Sequence, residues 1–317
     1  MTVEFRGEAD PSGETRTLLE SLHPENPFST VAYSRAVEDC GLRAFSFLLY
    51  EKDEARDGCY GFLRAGRFSS VLEIHSAPVA SEIAFWSGVT KICRQHKVTD
   101  LEVLSFASPS VAIPHLEGEE RRKQRVEYLV DLPDRDLIMS ISTHHRRHVR
   151  KADKAGVTIT RGPGLDAVGT HCALMLASLA RRKERGEDVS EQVDERLYTA
   201  LVRRGAGELF QATLNGEVLS SNLILKARRA AYYNTAGTTP EGMRSGASQL
   251  LIYSITRLLQ SEGLLHLNLG GADPGSGLAE FKQGFGARAV NLETAFCFIG
   301  NRLQRTLMTA TRKLRSA

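Results

Sequence analysis

The 317-residue sequence predicts an α/β protein in which one order of elements occurs twice. Residues 44–74 contain three short runs rich in aromatic and aliphatic side chains, and residues 209–236 contain three more. A helical pattern precedes each set, and a helix and a strand follow it. The length suits two modest domains. With 42% hydrophobic and 25% charged residues, the composition is that of a globular protein in water.

In the first half, residues 28–40 are predicted to form a helix that Gly41 ends. Three strands should follow, the first two joined by a polar stretch at residues 51–58. A helix and two further strands complete this half. The predicted strands are 44–50, 59–64, 68–74, 100–106 and 125–132, and the helix is 81–96.

The second half repeats this order. Two helices precede two strands joined by Asn215-Gly216, a pair typical of tight hairpins. The predicted helices are 165–185, 190–203 and 245–261, and the strands are 209–214, 218–226, 230–236, 265–269 and 289–298. Residues 136–156 carry apolar side chains on one helical face and are predicted to join the halves. We therefore expect one domain at residues 1–140 and another at 141–301.

Several classes of protein are disfavoured. The five cysteines are dispersed without metal-ligand spacing, which favours reduced thiols in a cytoplasmic protein. No apolar run is long enough to span a bilayer, and residues 1–8 do not resemble a signal peptide. His144 and His148 have a helical metal-binding spacing, but cations flank them and no carboxylate accompanies them, so no metal site is expected. Serine-hydrolase, Walker and dinucleotide-binding glycine motifs are missing from the sequence.

The net charge of +3 is mild, but the cations are clustered. Each cluster could be a solvated helix face, which is the usual case, or part of a basic surface for a polyanion. The first cluster comprises Arg146, Arg147, Arg150, Lys151, Lys154 and Arg161. The second comprises Arg181, Arg182, Lys183 and Arg185, and the third comprises Arg302, Arg305, Arg312, Lys313 and Arg315.

The segment Phe281-Lys-Gln-Gly-Phe-Gly is the most informative part of the chain. It follows an apolar strand that breaks into Gly270-Gly271, and a helix that ends at Gly263. A fixed cation such as Lys282 can stabilise the oxyanion of an acyl transfer or the phosphate of a donor. The alternative is a surface lysine on a turn.

This arrangement resembles the C-terminal half of Fem-like acyltransferases, which are double-GNAT enzymes that join an amino acid or acyl group to an amine. Three other segments resemble the same family: 26–33 with Asn-Pro-Phe, the basic helix and Gly-Val at 150–157, and 176–185. The resemblance implies two GNAT-like domains in tandem, with pseudo-duplicated mixed sheets flanked by helices. It also implies that residues 302–317 pack back on the first domain.

For function, the resemblance implies an aminoacyl-tRNA as co-substrate, no bound cofactor, and an amine of a peptidoglycan precursor or small peptide as acceptor. Lys282 would be the catalytic residue. Arg147, Arg150, Lys151 and Lys154 would contact tRNA phosphates. Either Arg181 or Arg182 would lie at the acceptor site, and the substrate-binding set would further include Tyr33, Phe281 and Phe285.

Other candidate site residues have open alternatives. Arg244, before a run of small residues, could contact a donor phosphate at a helix N-terminus, or the run could be a simple capped helix start. Tyr232 and Asn234 share one face of a strand that would line the cleft, and could equally be core and surface residues. Asp273 could accept a proton or be a loop residue. The rival functions are an acyl-CoA-dependent N-acyltransferase of the same fold and a non-catalytic RNA-binding module.

Overall fold

A computed structural model describes residues 3–66, 69–78, 82–106, 112–133, 136–187, 189, 192–301 and 304–305. The chain divides into two compact units. Unit 1 comprises residues 1–23, 28–125 and 291–317, and unit 2 comprises residues 24–27 and 126–290. The domain limits at residues 140 and 141 stay a prediction. The expected packing of residues 302–317 lies outside the described residues, apart from 304 and 305.

Unit 1 is a mixed sheet with helices. Its elements are β1 (Val3–Ala9), α1 (Gly13–Leu22), α2 (Val31–Asp39), β2 (Arg43–Glu51), β3 (Glu54–Ala65), β4 (Ser70–Ile74), α3 (Ile83–Gln95) and β5 (Asp100–Leu104). The strand order is β1-β2-β3-β4-β5, and β5 also pairs with residues 294–298 of β12 (Arg288–Phe298). The β4–β5 pair is parallel. Phe45, Phe47, Leu72, Phe85 and Val103 are among the buried residues that form its core.

Unit 2 contains the last residues of β6 (Glu119–Asp131) and most of the remaining elements. These are α4 (Leu137–Ser140), α5 (Thr143–Lys154), β7 (Thr158–Arg161), α6 (Ala167–Glu184), α7 (Glu195–Arg203), β8 (Gly207–Leu214), β9 (Glu217–Lys226), β10 (Ala230–Thr238), α8 (Pro240–Ser245), α9 (Ala247–Ser261), β11 (His266–Gly271) and α10 (Gly277–Gln283). The strand order is β6-β11-β10-β9-β8-β7. The core includes Phe210, Leu251, Ile255, Leu267 and Phe285.

The two units share one order of elements. Each runs strand, two helices, three antiparallel strands, helix, and a strand parallel to the third of the three. The tandem α/β architecture expected from the sequence is confirmed. The repeat is longer than predicted, because each copy begins with a strand, β1 or β7, that the sequence analysis missed. Helix α1 was also missed.

Local turn chemistry explains the other differences. The polar connection predicted at 51–58 is wrong: Lys52 and Asp53 both have positive φ, 50° and 66°, and form a two-residue turn, so that β3 begins at Glu54. The hairpin at Asn215-Gly216 is confirmed, with φ of 51° and 83°. The helix predicted from residue 245 begins earlier and is interrupted at Gly246, where φ is 86°. The helix predicted at 136–156 is likewise two helices, α4 and α5.

Helix α6 lies so close to β10 that only glycine fits at one position. A Cβ on Gly237 would overlap the backbone of Leu174 and Met175. The Ser178 hydroxyl accepts a hydrogen bond from the Thr238 amide at 3.0 Å and donates one to the Thr238 carbonyl at 3.2 Å. These contacts join the helix directly to the strand backbone.

Replacing Gly237 with alanine should therefore lower the free energy of unfolding by at least about 2 kcal/mol, because backbone atoms must move to admit the methyl group. Urea unfolding at neutral pH measures the change. Gly169→Ala is the matched control, because nothing lies within 4 Å of a Cβ at that helical position. It should gain about 0.5–1 kcal/mol from helix propensity. Equal stability of both variants would contradict the close approach of α6.

Candidate active site

The parallel strands β10 and β11 separate partway along their length. They pair only between Ala230–Tyr232 and His266–Asn268. Beyond that point β11 has an irregular register against β6, and Gly270 has a φ of 74°. Residues 232–236 of β10 are half-buried although the strand is internal to the sheet. The separation opens a cleft, which we define as the space beyond Tyr232 and Asn268.

Lys282 lies at this cleft, on a helix rather than on a turn. Ser276 begins α10 by accepting a hydrogen bond from the Ala279 amide at 3.2 Å, and Lys282 belongs to the last helical turn. The alternative of a surface lysine on a turn is wrong, because only 6% of Lys282 is exposed. Its Nζ donates to the Gly271 carbonyl at 2.7 Å.

The environment of Lys282 favours loss of its proton. Burial lowers its pKa from 10.5 to about 8. The Glu127 carboxylate opposes this shift, and the Arg182 guanidinium adds to it. At neutral pH the amine is therefore still mostly a cation, held in surroundings where a cation is costly. Such a charge can stabilise an anion that forms in the cleft.

A buried polar chain supports the backbone next to Lys282. The Glu127 carboxylate, 2% exposed, accepts a hydrogen bond from Asn268 Nδ2 at 2.7 Å. Asn268 Oδ1 in turn accepts from the Gly270 amide at 2.8 Å. These two bonds hold the irregular end of β11, which presents the Gly271 carbonyl to the lysine.

Tyr232 shares this space with Lys282. A Cβ on Gly270 would lie 3.5 Å from the Tyr232 hydroxyl and 3.7 Å from Lys282 Nζ. Both polar groups thus border the small volume that the glycine leaves empty. The structure brings together a hydroxyl and an ammonium group, which can hold an oxyanion or pass a proton.

The two arginines of α6 have different surroundings. Arg181 donates to the Thr238 carbonyl and to the Ser178 hydroxyl, so it supports the end of β10. Arg182 donates to Glu187 at 2.7 Å, and it is the one whose charge acts on Lys282. Of the two arginines considered for the acceptor site, Arg181 contacts the backbone of β10. Arg182 is the cation near the cleft.

The remaining candidates lie in several places. Phe285 is in the core of unit 2, and Phe281 is half-buried beside it. Asn234 is half-buried on β10, where the register shift between Tyr233 and Thr235 interrupts the alternation of faces. Asp273 is exposed. Tyr33 belongs to unit 1, where its hydroxyl lies 2.8 Å from His75 Nδ1. Their predicted roles in substrate binding stay predictions.

The predicted phosphate contacts are on the surface of unit 2. Arg147, Arg150, Lys151 and Lys154 are exposed on α5. Lys151 Nζ donates to the Arg244 carbonyl at 2.6 Å, which joins α5 to the segment before α9. The Arg244 side chain is exposed and pairs with Glu241 at 2.6 Å. A ligand phosphate at Arg244 would therefore compete with a neighbouring carboxylate.

Sequence reasoning missed Glu127, Asn268 and a histidine of α5, His145. A polar residue inside an apolar strand is a usable signal, and both Glu127 and Asn268 have it. Their pairing has no local signal, because 141 residues separate them.

In the part of the chain that the structure describes, no group of three His, Cys, Asp or Glu residues could hold a metal ion. None of the described helices is long and apolar enough to cross a bilayer.

Comparison with known proteins finds a family model that matches part of unit 2. Residues 140–283, which include Tyr232, Asn268, Gly270 and Lys282, match the acetyltransferase (GNAT) domain family. The chain carries a GNAT acyltransferase domain. The cleft between β10 and β11 thus lies within the GNAT domain. No curated protein sequence is significantly similar to the chain.

Solved structures show that the GNAT domain belongs to a tandem fold. FemX is 14% identical, with a TM-score of 0.67, over 91% of this chain and 96% of that one. A tandem GNAT protein from the clavulanic acid biosynthesis pathway is 11% identical, with a TM-score of 0.58, over 95% and 99%. The C-terminal domain of a putative lysylphosphatidylglycerol synthetase from Agrobacterium fabrum is 13% identical, with a TM-score of 0.56, over 94% and 95%. The Fem-like, double-GNAT fold expected from the sequence is confirmed.

Proposed function

We propose that this acyltransferase moves an aminoacyl group from a charged tRNA to an amine and forms an amide bond. The observation that carries the proposal is the buried ammonium of Lys282 at the cleft of the GNAT domain. Similarity in fold to FemX and to a putative lysylphosphatidylglycerol synthetase supports an aminoacyl group rather than a simple acyl group. The acceptor we propose is an amine of a peptidoglycan precursor or of a small peptide.

The reaction needs no covalent enzyme intermediate. The neutral acceptor amine attacks the ester carbonyl carbon, the new C–N bond forms, and the carbonyl oxygen becomes an oxyanion. The C–O bond to the tRNA ribose then breaks, the ribose oxygen takes up a proton, and the amine nitrogen loses one. Lys282 stabilises the oxyanion as a preorganised cation, and the Tyr232 hydroxyl adds a second polar group at the same space. A charged tRNA supplies the activated ester, so no further cofactor is needed.

The acyl-CoA-dependent reaction is the second candidate. It is favoured by the match to an acetyltransferase domain and by the similarity in fold to a tandem GNAT protein. The deciding experiment incubates the protein with total charged tRNA, or with acetyl-CoA, and a set of candidate amines, and identifies products by mass spectrometry. Transfer from tRNA that RNase abolishes supports the first proposal. Transfer from acetyl-CoA alone replaces it with the second. Binding of tRNA without transfer from either donor leaves an RNA-binding module.

The exposed cations of α5 allow a separate test of tRNA binding. Changing Arg147, Arg150 and Lys151 to glutamine should weaken tRNA binding roughly tenfold or more, and should lower the dependence of affinity on salt, because up to three phosphate contacts are lost. Filter binding or fluorescence anisotropy at several salt concentrations measures both. The variant should stay folded, since all three side chains are exposed.

The control removes three exposed cations elsewhere in unit 2, with Arg203, Arg228 and Arg257 changed to glutamine. It has the same net charge as the test variant and should bind tRNA nearly as the parent does. Equal weakening by both variants would indicate a general charge effect, and unchanged binding by the α5 variant would count against the proposed tRNA surface.

A further inference from the structure

The helix that carries Lys282 is held at its end by a histidine from another part of the chain. Helix α10 has seven residues, and its last four carbonyls lack partners inside the helix. Three of them accept from the following turn: Glu280 from the Gly284 amide, Lys282 from Phe285, and Gln283 from Gly286. The fourth, the Phe281 carbonyl, accepts from His145 Nε2 at 2.8 Å. A side chain 136 residues away thus completes the helix end.

The Phe-Lys-x-x-Phe-Gly segment leaves room for the imidazole ring of His145. The His145 ring packs against two phenyl rings, with centroid distances of 5.1 Å to Phe281 and 4.4 Å to Phe285. A Cβ on Gly284 would lie 2.6 Å from His145 Nε2, so glycine leaves the space that the ring occupies. The Ser142 amide, at the start of α5, donates to the Gly284 carbonyl at 2.8 Å. Three residues of the Phe-Lys-x-x-Phe-Gly segment, Phe281, Gly284 and Phe285, thereby contact α5 or its N-cap.

The hydrogen bond also determines which ring nitrogen of His145 carries the proton. Because a carbonyl only accepts, Nε2 carries the hydrogen, and the buried Nδ1 has no hydrogen-bond partner among the described atoms. Burial lowers the pKa of His145; the Phe281 carbonyl opposes this, while His144 and His148 add to it. The ring is therefore a neutral donor at neutral pH.

We infer that His145 is a positioning residue for the proposed reaction: it fixes the last turn of α10 so that Lys282 points into the cleft. The inference rests on the proposed function, in which the Lys282 ammonium stabilises the oxyanion. His145 contacts Phe281, which precedes Lys282 in the sequence, and it acts on the reaction only by holding that turn. Losing its hydrogen bond should let α10 shift and Lys282 reach water.

Two sets of variants test this. His145→Leu and His145→Asn both remove the donor at the Nε2 position, whereas His145→Gln keeps an amide donor near it. The first two should lower kcat roughly tenfold, as expected for one lost buried hydrogen bond, with KM within about twofold. The glutamine variant should recover most of kcat. His144→Leu is the control, because His144 is exposed on the same helix and should leave kcat unchanged.

A second measurement does not depend on activity. The pH at which Lys282 becomes reactive toward trinitrobenzenesulfonate, followed by peptide mass spectrometry, reports its surroundings. In the leucine and asparagine variants this midpoint should rise toward the ordinary value of 10.5, and in the glutamine variant it should stay near that of the parent. Since two variants lack the donor, failure of one to fold does not block the test.

The outcomes separate the inference from the proposed function. Folded leucine or asparagine variants with an unchanged midpoint and unchanged kcat would overturn the inference. A shifted midpoint in a protein that transfers no group from charged tRNA or acyl-CoA would support the role of His145 and overturn the proposed function. A loss of kcat that glutamine does not recover, with the midpoint unchanged, would show that His145 acts on stability alone.

Discussion

Replacing Lys282 with methionine should lower the rate constant for acyl transfer by about a hundredfold or more, the scale of losing one oxyanion donor. Methionine fills nearly the same volume but carries no charge. Substrate affinity should fall less than the rate constant, because the cation is needed most in the transition state. Arginine should not restore the rate, since a planar guanidinium cannot occupy the site of a compact ammonium. Single-turnover kinetics with saturating enzyme measures the change.

The same substitution should make the protein more stable. The pKa of Lys282 falls from 10.5 in the unfolded chain to about 8 in the folded one. Below pH 8 the lysine is charged in both states, and burying that charge costs folding about 3 kcal/mol as an upper value. This cost disappears as pH rises from 8 to 10.5. Lys282→Met should therefore gain about 1–3 kcal/mol at pH 7 and much less near pH 10.

Lys91→Met is the control, because Lys91 is exposed on α3 of unit 1. Neither its activity nor its stability should change appreciably. Full activity of Lys282→Met would remove the catalytic role, whereas lost activity with unchanged stability would mean that the lysine is not held as a buried cation. The pH dependence of activity is a further check. If the cation is the active form, the parent enzyme should lose activity as pH rises above about 8, where Lys282 loses its proton.

The second large effect is a loss of stability in acid, caused by His171 on α6. His171 is fully buried, and its ring nitrogens lie 3.0 Å from the Ser221 hydroxyl and 2.9 Å from the Thr235 hydroxyl. Burial lowers its pKa from 6.5 to about 4, against a smaller opposing contribution from Ser221. The folded state holds the neutral ring, so its contribution to stability is complete above pH 6.5 and is lost as pH falls toward 4.

Protonation of His171 should lower the free energy of unfolding by about 3 kcal/mol between pH 7 and pH 4. Urea unfolding at pH 7, 6, 5 and 4 measures the loss, and His171→Gln, which cannot titrate, should show a shallower dependence. His115→Gln is the control, since the His115 side chain is 83% exposed. A parent and His171→Gln variant with parallel pH dependence would show that the ring is not held neutral by burial. Magnetic resonance of the ring protons gives the midpoint directly.

The order of elements could be predicted from sequence because it depends on local patterns. Hydrophobic periodicity and the Asn215-Gly216 turn placed most strands within a few residues. The turn at Lys52 and Asp53 was missed because it contains no glycine or asparagine, and lysine rarely adopts a positive φ. Short strands such as β7 were missed because four residues carry too little periodicity.

The site was predictable only in part, for a similar reason. Lys282 was proposed as a site residue from its flanking aromatic and glycine residues, but those glycines suggested a turn where Ser276 begins a helix. The contacts that shape its surroundings join distant residues: Glu127 with Asn268, and His145 with Phe281. No local pattern reports such pairs, since they form only when the sheet and α5 come together.

The burial of Lys282 has a consequence for any collection of random variants of this chain. A library screened only for resistance to heat would reward apolar residues at position 282, because they relieve the cost of a desolvated charge. The most heat-resistant variants would include proteins that have lost catalytic activity. Conversely, a small anionic compound that pairs with the ammonium group should raise the melting temperature of the parent and leave that of the methionine variant unchanged. Thermal-shift screening of the two proteins side by side would then find cleft ligands before any substrate is known.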